Sequence, residues 1–172
     1  MRTIFLALLS IALLPAQKPQ TLKEVLLEQL HTTHDKEDWF VPISVALDGL
    51  TPDQAKWTDG KGNHSVGQLA NHLAFWDARA LQQFNGEKPA AFNGNNDETF
   101  NRFDAKTWKE TVARLDTVMK AWEKAVQDAD DAKLKAGASQ IAHVGAHNAY
   151  HLGQIIYVRK LQGVWDPSKG VK

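Results

Sequence analysis

The chain contains no cysteine, which excludes a disulfide framework, a thiolate metal site and a cysteine nucleophile together. It also has no net charge, because 20 Lys and Arg are matched by 20 Asp and Glu. Nothing in that balance draws it to nucleic acid or to an anionic membrane surface. There is no Gly-rich phosphate loop, no internal repeat and no β-type alternation of any length. Ser65-Val66-Gly67 sits at a helix start and lacks the strand that a nucleophile elbow requires. Histidines, carboxylates, amides and water are left to carry any chemistry.

The N-terminus reads as a targeting segment. Arg2 precedes the apolar run Ile4–Leu14, which has the length of a signal-peptide core and is too short to span a bilayer comfortably. Pro15-Ala16-Gln17 offers a small residue for cleavage, though Leu14 is not the small side chain usually found before a cut, and an uncleaved anchor is the alternative. The expectation is a signal peptide over 1–17 and one domain over 18–172, exported to the periplasm or secreted. No other apolar run of spanning length follows, so no membrane span is expected after cleavage.

Helical periodicity organises the rest. Thr21–Leu47 carries a first apolar face and contains Pro42, which should kink or restart the helix. Thr51-Pro52-Asp53-Gln54 has the signature of a short capped turn, and Asp59–Asn63 is turn chemistry. Ser65 and Gln68 form a capping box opening helix two, with its stripe at Leu69, Leu73, Trp76 and Ala80, ended by Asn85-Gly86. Glu87–Asp104 is the longest connection and carries its own aromatics, Phe92, Phe100 and Phe103; it either covers a site or only crosses the bundle. Ala105–Asp128 shows an unbroken stripe through Trp108, Val112, Leu115, Met119, Trp122 and Val126. It is assigned packing and a solvated charged face, with no chemistry. Asp128–Lys135 reads as a polar link into a long helix over Ala136–Gly163. The expected fold is all-α: a four-helix bundle with one long crossover connection.

The stripe Val144, His147, His151, Gln154, Val158, Leu161 of that last helix is apolar at its ends and polar in its middle. His147 and His151 stand one turn apart on one face, so their imidazoles can converge on one point. Two buried imidazoles need partners: a carbonyl or water for each, as in ordinary core histidines, or one metal ion that satisfies both. His143 lies one turn earlier, but each i,i+4 step rotates by roughly 40°, which makes it a neighbour more than a ligand. His72 repeats the anomaly on the buried side of helix two and is the natural third ligand. Its competitor His64, just before the cap, reads as a loop residue. His31 and His34 sit in a polar neighbourhood and read as a solvated or cleft-edge face. Asp77, Tyr150 and Gln154, with His143, are candidates to orient a ligand or meet a substrate.

The stretches NHSVGQLANHLAFWDARAL and AHNAYHLGQI, with the helix order and the Gly49-Leu50-Thr51 loop, resemble the DinB-like superfamily across nearly the whole chain after residue 17. The resemblance implies a four-helix bundle that binds a divalent metal, usually zinc or nickel, through three histidines, here His72, His147 and His151. Three imidazoles leave an open coordination position, as catalytic metals do. It also implies a hydrolase or a thiol S-transferase acting on a small molecule, since relatives include bacillithiol- and mycothiol-dependent enzymes and a thiol-dependent isomerase. The export signal counts against the thiol reading, because such cofactors are cytosolic. A non-catalytic metal-binding or stress-related protein, or a helical interaction module, stays open as the alternative. Members of the family often form dimers, so a homodimer is compatible with the resemblance.

Overall fold

The computed structural model describes residues 19–170; the expected signal peptide lies outside them. Every regular element among the described residues is helical. Four long helices, α1 (Leu22–His34), α4 (Val66–Phe84), α6 (Trp108–Asp128) and α7 (Asp131–Gln162), are joined through three short ones, α2 (Ile43–Leu47), α3 (Pro52–Lys56) and α5 (Asp97–Asn101). The all-α expectation therefore holds.

The helix starts are fixed locally. Thr21, Thr51 and Ser65 each accept from the backbone N–H three residues on, while Glu24, Gln54 and Gln68 reach back to the cap. Each box satisfies two backbone donors that a helix start otherwise leaves open. Gly163, at φ 76°, ends α7 in the left-handed conformation that a residue without Cβ adopts freely.

Two boundaries differ from the periodicity. The first expected helix is two, because residues 35–42 are irregular between α1 and α2. Pro42 lacks the N–H to continue a helix and instead stands as the N-cap of α2. The last helix begins at Asp131, capped by the Asp130 side chain, so Gly137 is interior. A Cβ on Gly137 would lie 2.6 Å from the Phe84 ring, so close packing on α4 explains the glycine. The link from α6 to α7 is only Ala129-Asp130.

Around the bundle the order is α1, α7, α4, α6, each packed on the next and α6 closing on α1. Helix direction follows from the contacts. Lys23 reaches Gln127 and His34 reaches Asp116, so α1 runs antiparallel to α6. Arg114 binds Asn71 and Trp122 binds the Asp77 carbonyl, so α6 runs parallel to α4. Gln140 donates to the Ala80 carbonyl while His147 meets His72, so α7 is antiparallel to α4. Two neighbouring helices that run parallel need a connection as long as themselves. Residues 85–107 supply it by travelling back along α4, where Phe103 presses onto Gly67 so closely that a Cβ there would meet the ring at 2.1 Å. The core is Leu69, Leu73, Leu115, Trp122, Leu134, Ile141, Leu152 and Ile155, all fully buried. Each such side chain contributes roughly 1.5–3 kcal/mol on leaving water.

Candidate metal centre

Helix α4 holds His72 two turns inside its Ser65 cap, and α7 presents His147 and His151 one turn apart from the antiparallel direction. One ring nitrogen from each of the three lies within 4.8 Å of the others. His72 and His151 are buried, and His147 is half-buried. His72 Nε2 stands 3.2 Å from His147 Nε2.

The outer nitrogens decide what the inner ones offer. The Thr99 hydroxyl gives its single proton to the Asn96 carbonyl at 2.6 Å, so it can only accept from His72 Nδ1, also at 2.6 Å. His72 therefore carries its proton on Nδ1 and turns the Nε2 lone pair inward. His151 Nδ1 meets the Gln154 Oε1 at 2.6 Å, and an amide oxygen accepts. Its Nε2 is likewise a lone pair. His147 Nδ1 has no partner among the described residues, so either His147 takes the Nε2–H tautomer toward His72 or a cation stands among the three. Two nitrogens about 2.05 Å from a tetrahedral zinc lie ~3.3 Å apart, close to the 3.2 Å between His72 and His147. The donor set fits a divalent ion.

Protonation agrees. Burial, with the neighbouring His151, His147 and His64, lowers His72 to about 3. Burial and His151 lower His147 to about 4. Burial and His64 lower His151, against an opposing hydrogen bond to Gln154. All three are neutral at pH 7, the form in which imidazole binds metal. A family model for the DinB superfamily matches residues 43–155, a span that contains all three histidines.

The chain belongs to the DinB superfamily.

No curated protein and no solved structure matches it. For this DinB protein the other expected residues divide. Gln154 orients His151 and in turn donates to the Tyr150 hydroxyl at 3.2 Å, while the Tyr150 ring packs edge-on against His151. His143 lines the same cleft but is exposed and makes no contact with the cluster. Asp77 also lines the cleft, yet its carboxyl is buried against Asn148, and burial raises it to about 7 despite that hydrogen bond.

The crossover contributes what the sequence pattern did not show. Besides Thr99, it supplies Phe100, which is sandwiched between the His72 ring at 3.9 Å and the His64 ring at 3.8 Å, both nearly parallel. His64 is thus part of the wall of the site and not only a loop residue. Asn71 donates to the Thr99 carbonyl and Trp76 Nε1 to Asn96, fastening the segment to α4. The aromatics of this connection were a signal that it covers something; Thr99 gave none.

His34 is the other departure. It is 2% exposed, with Nδ1 2.6 Å from Glu123 and Nε2 3.0 Å from Asp116. Burial alone would lower it, but the hydrogen bonds and charges of Glu123, Asp116 and Asp35 outweigh that and raise it. The charged face of α6 is therefore partly structural. His31, Asp35 and Glu123 also bring ligand-type atoms within 4.8 Å. There Glu123 Oε1 is already taken up by His34, so the group reads as an extension of that ion pair.

Proposed function

We propose that this DinB protein holds a divalent ion, zinc or nickel, on the Nε2 atoms of His72, His147 and His151, and uses it for hydrolysis of, or group transfer to, a small molecule. The pair of fixed tautomers carries the reading. Thr99 and Gln154 each take a proton away from the centre, leaving lone pairs at ligand spacing. Zinc and nickel both accept imidazole. When bound in a three-histidine site, such an ion activates water or polarises a carbonyl through its open position.

The chain's own residues do the rest. Thr99 and Gln154 hold two rings in orientation, and Phe100 closes the His72 side against water. Tyr150, 64% exposed beside His151, is placed to meet a substrate's polar group. Burial keeps Asp77 largely protonated below its raised value of about 7, so at acidic pH it adds little negative field to the centre. A cleft of about 1190 Å³ opens onto the histidines, which favours turnover over mere metal storage.

Metal analysis of the untagged protein by plasma mass spectrometry tests the reading. One zinc or nickel per chain is expected, lost in both His72→Ala and His147→Ala, and would be followed by screens of ester, amide and thiol-transfer chemistry. Protein that takes up neither metal after incubation with both would refute it.

A further inference from the structure

The cleft does not stop at the histidines. It continues along the groove between α4 and α7 as far as Ala80 and Gln83 on one wall and Ala136 and Ser139 on the other. From His147 back to Ala136 the helix rises by roughly 16 Å, a length that about five extended residues cover.

The chemistry of that groove is uncharged and rich in hydrogen-bonding capacity. The side chains of Gln83, Ser139 and His143 have no hydrogen-bond partner among the described residues. Gln140 gives an N–H to the Ala80 carbonyl at 2.9 Å, which leaves its amide oxygen as an acceptor. Carboxamides, a hydroxyl and an imidazole offer donors and acceptors side by side. A peptide backbone presents the same alternation, one N–H and one C=O per residue. Among the described lining residues there is no Lys or Arg, and the acidic ones are Asp97 and the buried Asp77, so an anionic ligand body meets no cationic side chain along the groove. The aromatic faces, Trp76, Phe100 and Tyr150, gather at the histidine end and leave no platform for sugar rings further along.

Resting on the metal reading above, we infer that the groove takes an extended, uncharged peptide segment, one end of which lies at the three histidines. The test uses the zinc-loaded full chain and four probes: acetohydroxamate, acetyl-trialanyl hydroxamate, its succinyl counterpart with one negative charge, and a glucose disaccharide carrying the same hydroxamate. The acetyl peptide should bind roughly tenfold or more tighter than acetohydroxamate. That gain should shrink severalfold in Gln140→Ala and His143→Ala, while acetohydroxamate binding stays the same. A succinyl peptide or a disaccharide that binds as tightly as the acetyl peptide overturns the inference. So does bound zinc and bound acetohydroxamate with no gain from the peptide, which leaves the metal reading standing. Failure to retain zinc, read by metal analysis, overturns both.

Discussion

Thr99→Val separates a site built for an ion from a cluster of ordinary buried histidines. Valine keeps the volume of a residue that is 1% exposed, and the Thr99 backbone carbonyl still receives Asn71. The acceptor for His72 Nδ1 disappears, and with it the hydroxyl donated to the Asn96 carbonyl, a loss shared by the loaded and metal-free states. Without metal, His72 escapes the loss by moving its proton to Nε2. With metal that tautomer is forbidden, because Nε2 must bind the ion, and a buried N–H is left unpaired. An unpaired buried donor costs about 1–3 kcal/mol, and here the cost falls on the loaded state alone. Zinc affinity should therefore drop roughly 10–100-fold, while the metal-free protein loses only the bond to Asn96, about 1 kcal/mol of stability. Thr99→Ser should restore the affinity. Competition against a chromophoric chelator measures it. A Thr99→Val affinity within twofold of wild type would refute the reasoning, as would an equal loss in Thr99→Ser.

Two further predictions concern groups away from the ligands. His34 has a raised pKa in the fold, so its stabilisation is fully present below its ordinary 6.5 and is lost as pH rises through the raised value. Wild type should lose stability in urea between pH 6 and pH 9 by more than His34→Gln does, and equal slopes would count against a charged His34. The Asp77 carboxyl is raised from 3.8 to about 7, so its favourable contribution is lost as pH climbs between those values. Its Oδ2 and the Asn148 Oδ1 are both buried without a donor, and an amide at position 77 can supply one. Asp77→Asn should thus lose less stability than wild type as pH climbs from 4 to 9 and be more stable than wild type at pH 9, as urea midpoints at the two values will show.

The elements that sequence revealed are those whose cause is local. Ser65 with Gln68, Thr51 with Gln54, and Gly163 act within one turn, and each stands where its pattern placed it. His147 and His151 were legible because a helix repeats every 3.6 residues. His72 was legible because it breaks an apolar face. Thr99 lies 27 residues from His72, and Glu123 lies 89 from His34; no periodicity links either pair. Gly137 misplaced the start of α7 because its reason is the Phe84 ring of another helix. The short α5 was hidden in a stretch whose Asn and Gly residues favour turns.

The separation of His72 and His147 by 75 residues has a mechanical consequence. This chain has no cysteine with which to cross-link itself. An ion gripped by both helices closes a loop of that length as a disulfide would, and in the chain-entropy picture such a closure is worth about 4 kcal/mol. Unlike a disulfide, it is indifferent to reductants and is undone by a chelator. The three side chains proposed to hold the ion would then act as a removable staple joining the two halves of the fold.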